Sequence, residues 1–245
     1  MELGCSLRVF GPKCPETRAL ATIRDIGFLA VELDWKTLAQ VRPSLIEVGL
    51  KIAGVFIGAI TADNSAELRK QVKALTKIIT EVQVLGGRLV IVESGPRTHD
   101  NFDYLREGLV LLGEEAERLS MDIAVANRVG TRVENRDDLA GLSWRKLPER
   151  VGVCIDAFEF HAAAVNPGDV IRETAGRIRL VRLADQLAGI PVVPGQGEVN
   201  TEGLIRTLRM VGYGGVIVVD HLSAGNEPIE RVLERAYKYY REAFR

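Results

Sequence analysis

The chain has 245 residues, with 32 lysines and arginines against 33 aspartates and glutamates, and its formal net charge is −1. This balance gives no electrostatic reason to expect binding to nucleic acid or to a membrane surface. No apolar run approaches the roughly 18 residues that a membrane-spanning helix requires. The first ten residues have the pattern of a strand rather than of a secretion signal, and three cysteines are too few for a disulfide framework. We therefore expect a protein of the cytoplasm.

Eight short runs rich in valine, isoleucine and leucine recur along the chain. They cover residues 3–9, 28–34, 51–59, 88–94, 121–127, 151–156, 177–183 and 215–220. Runs of this length and composition are typical of strands that are buried on both faces of a parallel sheet.

Longer segments with apolar residues at helical spacing separate these strands, most clearly within 68–82, 102–119 and 229–244. Strict alternation of strand and helix predicts a parallel sheet with right-handed crossovers. Eight units in a chain of this length predict the α/β class and a single (β/α)8 TIM barrel over residues 1–245. A doubly wound open sheet is the alternative, but the segment after the first strand, FGPKCPETR, lacks a glycine-rich phosphate-binding fingerprint.

In such a barrel the carboxyl ends of the strands form the site, and the last inward-facing residue of each strand faces its mouth. Alternation along the strands selects Arg8, Glu32, Asp156, Arg182 and Asp220. Trp35, Arg97 and Arg128 follow the ends of three strands, and His99 lies a little further along. Each of these residues alone would fit a strand end that reaches water, but together they bring acids and bases to one rim. The same alternation turns His221 away from the mouth.

Several segments resemble the xylose isomerase-like family of sugar isomerases and epimerases. FLAVEL resembles its second strand, VGVCIDAFEF its sixth, IRLVRLAD its seventh, PGQGEVNTEGLIRTLRMVGYGG the following loop and helix, and VIVVD its eighth. The resemblance implies an isomerase, an epimerase or a related lyase of carbohydrate metabolism, acting on a small polyol, keto-sugar or sugar acid. Members of this family often form dimers or tetramers, so a homodimer or homotetramer is implied as well.

The resemblance also implies where a metal would be bound. Catalytic members hold Mn2+ or Mg2+ with a glutamate, an aspartate, a histidine and a glutamate on the fifth to eighth strands. Those positions are Ala126, Asp156, Arg182 and Asp220 in this chain, and Glu159 stands where a substrate-contacting histidine is expected. An arginine has no lone pair with which to bind a cation. We therefore predict no metal cofactor, although substrate oxygens would complete a weak site in an alternative interpretation.

We expect Arg182 to pair with Asp156 and Asp220 in place of the metal. The catalytic candidates are Asp220, Asp156, Glu32 and Arg182, and the candidate substrate contacts are Arg8, Trp35, Arg97, His99, Arg128 and Glu159. The four arginines of this set would converge on an anionic group of the ligand. The expected partner is a small molecule, with no nucleic acid and no membrane. Three interpretations stay open: a metal-free enzyme, a non-catalytic or inactive binder of anionic sugars or carboxylates, and a protein that binds metal through other ligands.

Overall fold

The computed structural model describes residues 1–97, 102–223, 225 and 227–244. The first seven barrel strands are β1 (Glu2–Ser6), β2 (Ala30–Asp34), β3 (Lys51–Ala59), β4 (Leu89–Glu93), β5 (Asp122–Ala126), β6 (Val151–Asp156) and β7 (Ile178–Leu183). A two-stranded antiparallel hairpin follows, formed by β8 (Asp185–Leu187) and β9 (Ile190–Val192). The strand β10 (Val216–Val219) then pairs with both β1 and β7, so that eight parallel strands of the described residues close into a barrel.

The helices surround this barrel. They are α1 (Glu16–Ile26), α2 (Trp35–Val48), α3 (Ser65–Val84), α4 (Phe102–Arg118), α5 (Arg136–Gly141), α6 (Ala157–Ala162), α7 (Pro167–Glu173), α8 (Thr201–Met210) and α9 (Ile229–Ala243). The apolar stripes predicted from the sequence face inward, and in α3 they bury Leu68, Leu75 and Ile79. None of the helices in the described residues is long and apolar enough to cross a membrane.

The predicted (β/α)8 barrel is confirmed, and all eight predicted strands are present. The first strand is shorter than predicted. It ends at Ser6, whose hydroxyl accepts a hydrogen bond from the backbone N–H of Arg8 and so begins a short 3-10 helix, Leu7–Phe10. Arg8 therefore follows the strand rather than ending it, because this local hydrogen bond competes with the strand pattern.

One glycine allows β6 to approach the start of β7 closely. A Cβ atom on Gly152 in β6 would lie 2.1 Å from the carbonyl oxygen of Arg177, just before β7. Only glycine permits this close approach of the two chain segments. Further along the same pair of strands, Asp156 and Arg182 are register partners. The register of the two strands shifts between Val153 and Cys154, and beyond this shift an acid and a base stand side by side at the top of the barrel.

Candidate active site at the barrel mouth

Four charged side chains meet at the carboxyl ends of the strands. Glu32 lies in β2, Asp156 in β6 and Arg182 in β7, and Asp220 directly follows β10. Each of them is at most 3% exposed. Together with two neighbours they form what we call the mouth cluster: Arg8, Glu32, Asp156, Arg182, Asp220 and His221. Buried charges of both signs in one place require mutual pairing, since an unpaired buried charge is strongly destabilising.

Arg182 is the central cation of the mouth cluster. Its Nε and Nη2 each donate a 2.9 Å hydrogen bond to a different carboxylate oxygen of Glu32. Its Nη1 lies 3.5 Å from Oδ2 of Asp156, and its Nε lies 3.8 Å from Oδ2 of Asp220. Arg182 thus lies within ion-pair distance of both aspartates, as expected, and the structure adds a closer pairing with Glu32. Its fork of donors matches the carboxylate of Glu32, and the aspartates interact with it at longer range.

These neighbours keep the guanidinium of Arg182 protonated. Burial acts to lower the pKa of the guanidinium, but the acidic groups around it, Glu32 and Asp156 among them, raise the pKa well above its usual value. Arg182 is thus a permanent positive charge in the middle of three buried carboxylates.

Arg8 is the second cation of the cluster, and it lies at its edge. Its Nη2 donates to Oδ2 of Asp220 at 2.5 Å and to Oε1 of Glu32 at 3.3 Å, while its Nε donates to the Ser6 hydroxyl. The side chain is 46% exposed, whereas those of its acidic partners are 1–3% exposed. Arg8 also lines a cavity of about 310 Å³ between the β1–α1 connection and the start of α2, with Leu7, Phe10 and other residues. A ligand in this cavity would contact the mouth cluster through Arg8.

His221 was predicted to turn away from the mouth, and this prediction is wrong. Its Nε2 lies 3.2 Å from Oδ2 of Asp156 and 3.9 Å from Oδ2 of Asp220. The reason is a change of backbone conformation: His221 has a φ of 50°, so the alternation of the strand stops at Asp220. The His221 backbone N–H donates to Oδ1 of Asp220, and its ring stacks on Phe158 with a centroid distance of 4.6 Å.

Asp156 and His221 shift one another's protonation. Burial acts to raise the pKa of Asp156, but the hydrogen bond and charge of His221, together with Arg182, hold the pKa below its usual value. Burial likewise acts to lower the pKa of His221, but the hydrogen bond and charge of Asp156, together with Asp220, raise the pKa above its usual value. The pair thus favours a carboxylate beside an imidazole that keeps its Nε2 proton.

Asn127, which is not among the residues predicted from the sequence, supports this pair from the end of β5. Its side chain is buried, accepts a 2.8 Å hydrogen bond from the backbone N–H of Asp156 and donates a 3.1 Å bond to the carbonyl of the same residue. A polar residue directly after a buried strand was the available signal. These two hydrogen bonds connect the end of β5 to the end of β6 and hold the backbone of Asp156, which carries the carboxylate.

The two strand cysteines, Cys5 and Cys154, are completely buried beneath the cluster. Burial, followed by the charges of Asp220 and Glu32, raises the pKa of Cys5 well above its usual value. Burial raises the pKa of Cys154 to about 12, although the charge of Arg182 opposes it. Both thiols therefore remain protonated near neutral pH and act as small core residues.

The structure does not gather all four predicted arginines. Arg97 forms ion pairs with Asp138 and Glu134, and Arg128 pairs with Glu93 at 3.1 Å. These two arginines are neutralised by local acids of the rim. Only Arg8 and Arg182 of the set belong to the mouth cluster.

Of the remaining predicted substrate contacts, Glu159 touches the mouth cluster through its backbone, whose N–H donates a 3.3 Å hydrogen bond to Oδ1 of Asp156. Trp35 begins α2 and lines a groove against α3 with Lys70 and Lys73. The carboxylate of Glu159 accepts a 3.0 Å hydrogen bond from the backbone N–H of Val129, which ties α6 to the loop after β5. His99 lies outside the described residues.

A further buried acid, Asp185, is the first residue of β8. It accepts hydrogen bonds from four backbone N–H groups, those of Gln186, Gly195, Gly197 and Val199, at 2.8–3.0 Å. The segment PGQGEV folds around this carboxylate. Asp185 therefore anchors this loop through its four hydrogen bonds.

Three side chains of the mouth cluster bring possible metal-binding atoms together. A carboxylate oxygen of Asp156, one of Asp220 and a ring nitrogen of His221 lie within 4.8 Å of one another. The guanidinium of Arg182 approaches the Oδ2 atoms of the same two aspartates. Ala126, at the end of β5, has no side-chain atom that would bind a cation.

A sequence model of the xylose isomerase-like TIM barrel family matches residues 20–243. The chain belongs to this family. It is 26% identical over 166 residues to the inosose dehydratase of Geobacillus thermodenitrificans, a match that covers 59% of this chain and 55% of the relative. The chain thus spans about half the length of the curated relatives it matches.

Solved structures share the whole barrel with this family member. D-psicose 3-epimerase of Clostridium cellulolyticum H10, solved with D-tagatose, superposes with a TM-score of 0.86 at 14% identity, over 100% of this chain and 99% of the epimerase. The IOLI protein, solved with a zinc atom, superposes with a TM-score of 0.82 at 16% identity, over 100% and 98% of the two chains. At these identities the likeness shows a common fold.

Proposed function

We propose that this family member is a metal-free enzyme that moves a proton at the carbon beside the carbonyl of a small keto-sugar, keto-polyol or sugar acid. Its reaction class would be isomerisation, epimerisation or elimination of water. The observation that carries the proposal is the mouth cluster, in which a buried guanidinium stands among three carboxylates at the functional end of a TIM barrel. Relatives named for an inosose and for psicose support a substrate of this class.

The residues do not fit the metal of the family. By the resemblance to the family, Ala126 stands at the fifth-strand ligand position and Arg182 at the seventh-strand ligand position. The Arg182 guanidinium approaches the two aspartates that a shared cation would need. A divalent ion there would meet a permanent positive charge at close range, where unit charges 4 Å apart repel by about 4 kcal/mol at an effective dielectric constant of 20. Arg182 takes over the charge compensation that a metal would supply.

Arg8 and Arg182 would have different electrostatic roles. Abstraction of the proton beside a carbonyl leaves an enediolate, whose oxygen carries negative charge. Arg8, which is half-exposed and borders the cavity, is placed to donate to that oxygen. Arg182 and its three carboxylates are closed to solvent and would hold Arg8 and His221 in position. The buried acids that the strand pattern predicts to be catalytic would therefore act through their neighbours.

Solvent deuterium exchange tests this proposal. Protein treated with a chelator is incubated in D2O with a panel of keto-sugars, inososes and sugar acids, and exchange is followed by proton NMR. We expect exchange into one class of compound, unchanged by added Mn2+ or Mg2+, and no stoichiometric Mn, Mg or Zn by elemental analysis. Arg8→Gln should lose the exchange, while Arg128→Gln, a matched change on the rim, should keep it. A lack of exchange across the panel, with and without metal, would contradict the proposal.

A second candidate function is non-catalytic binding of anionic sugars or carboxylates. The partly exposed Arg8 beside a cavity favours it, as does the loss of a fifth-strand acid at Ala126. Thermal-shift measurements with sugar phosphates and sugar acids would distinguish the two. A binder should be stabilised by one class without any proton exchange, and Arg8→Gln should abolish that stabilisation.

We also propose that the protein acts in the cytoplasm and as a homodimer or homotetramer. The cysteines Cys5, Cys14 and Cys154 are all free thiols, which fits a reducing compartment. Light scattering coupled to size-exclusion chromatography would measure the oligomeric state, and a monomer would contradict that part of the proposal.

A further inference from the structure

The side chains that a substrate can reach in the mouth cluster are few. The carboxylates of Glu32, Asp156 and Asp220 are 1–3% exposed, and the Arg182 side chain is 4% exposed. Arg8 is 46% exposed and His221 is 26% exposed. Because a guanidinium stays protonated at any ordinary pH, it cannot accept a proton from a substrate. Within this cluster, the accessible group that can both accept and return a proton is His221.

The ring of His221 is held in one orientation by three separate contacts. Its Nε2 lies 3.2 Å from the carboxylate of Asp156, and one face stacks on Phe158 at an interplanar angle of 7°. Its backbone is held in the left-handed region while its N–H donates to Asp220. Among the residues that the structure describes, none is hydrogen-bonded to the other ring nitrogen, Nδ1. A carboxylate that binds one nitrogen fixes the tautomer and leaves the other nitrogen as the base.

We propose that His221 is the proton carrier of this active site, that it works through Nδ1, and that Asp156 is its positioning residue. The inference rests on the proposed function, and it assigns the proton transfer to a residue that the strand pattern had turned away from the mouth. The buried carboxylates then serve to orient and compensate the imidazole rather than to touch the substrate.

The step balances without a further reactant. The C–H bond beside the carbonyl breaks, its proton passes to Nδ1, and its electron pair forms the carbon–carbon double bond of an enediolate. The carbonyl electrons move to oxygen, where Arg8 is placed to donate a hydrogen bond. The imidazolium then returns the proton to the carbon, which gives exchange, or to a hydroxyl on the next carbon, which leaves as water.

The main experiment compares three proteins with the substrate that exchanges fastest in the wild type. His221→Gln should lower the exchange rate by about 10²–10⁴-fold, the usual contribution of a general base, mainly in kcat. The substrate-induced thermal shift should remain. His161→Gln is the matched control, since His161 is bound to Gln186 on another connection and should exchange like the wild type. Exchange by His221→Gln within threefold of the wild type would overturn this inference alone, whereas no exchange by the wild type would overturn it together with the proposed function.

A spectroscopic measurement tests the positioning role of Asp156 without relying on activity. Nitrogen-15 NMR of labelled histidine, at a pH where the ring is neutral, should show His221 protonated on Nε2 in the wild type. Asp156→Asn should lose this preference and lower kcat more than it changes KM. A wild-type ring protonated on Nδ1 would overturn the proposal, because that nitrogen could then not accept a proton.

Discussion

Two buried acidic centres lie at the top of the same barrel, and their carboxylates are stabilised by different kinds of partner. Asp185 is satisfied by four backbone N–H groups, whereas the three acids of the mouth cluster are compensated by the side chains of Arg182, Arg8 and His221. Backbone donors are fixed once the loop has folded. Side-chain cations can respond to a ligand, and the imidazole of His221 can also respond to pH. The first arrangement therefore builds structure, and the second leaves groups that can perform chemistry.

The backbone arrangement requires particular residues in the loop. Gly195 has a φ of 87°, and a Cβ atom on Gly197 would lie 2.2 Å from the carbonyl oxygen of Gln186 and 2.3 Å from Oδ1 of Asp185. Glycine is needed at both places, once for backbone conformation and once for close approach. The segment PGQGEV is thus explained by the carboxylate that it encloses, with no catalytic role needed.

The largest expected effect comes from removing the central cation of the mouth cluster. Arg182→Met has a similar volume but leaves Glu32, Asp156 and Asp220 without it, and we expect the free energy of unfolding to fall by about 3–5 kcal/mol. Urea unfolding at pH 7 measures this. Part of the loss should be recovered at acid pH, where protonation removes the uncompensated charge. A loss below about 1 kcal/mol would contradict the electrostatic account of the cluster.

The same variant should change the response to metal ions. With Arg182 gone, the acids of the mouth and His221 would be free to share a cation, so Mn2+ should stabilise Arg182→Met while leaving the wild type unchanged. Thermal shift over a range of Mn2+ concentrations is the measurement. Equal stabilisation of both proteins would show that Arg182 does not exclude the metal.

A smaller effect is expected at the backbone-satisfied centre. Asp185→Asn keeps one acceptor oxygen but turns amide hydrogens toward two backbone donors, so we expect a loss of about 2 kcal/mol of unfolding free energy. Proton exchange on the substrate should hardly change at temperatures where the variant is folded. If Asp185→Asn lost proton exchange without losing stability, Asp185 would have a catalytic rather than a structural role, which would contradict the difference drawn between the two centres.

The pH dependence of stability should reveal the Asp156–His221 pair. The raised pKa of His221 gives stability that is present below about 6.5 and lost as the pH rises through the higher folded-state pKa. The lowered pKa of Asp156 gives stability that is present above about 3.8 and lost as the pH falls through the lower folded-state pKa. His221→Gln should therefore be less stable than the wild type by about 1.5 kcal/mol near pH 5.5, and the difference should shrink at higher pH. Melting temperatures across this range, with His161→Gln as control, measure it.

The smallest effect is expected at the exposed rim. Arg128 is more than half exposed and pairs with Glu93, so Arg128→Ala should change the free energy of unfolding by less than about 1 kcal/mol. The same denaturation assay applies. A loss as large as that of Arg182→Met would mean that rim arginines belong to the mouth cluster after all.

Local patterns were sufficient to predict the barrel and most of its charged mouth. Strands buried on both faces leave continuous apolar runs, and their alternation places Glu32, Asp156, Arg182 and Asp220 without any knowledge of the fold's details. The predictions failed where the strand period ends. Ser6 begins a 3-10 helix before Arg8, and the left-handed backbone at His221 reverses the direction that alternation assigns to it.

The sequence by itself thus determined the strands, the barrel and which acids face its mouth, because side-chain alternation and burial are local properties. Only the tertiary structure decided which partner each charge takes. Arg182 and Glu32 are 150 residues apart, and Arg8 and Asp220 are 212 apart. No pattern of neighbours encodes such pairs, since they form only when the closed barrel brings distant strand ends together. The orientation of His221 between Asp156 and Phe158 depends on that closure in the same way.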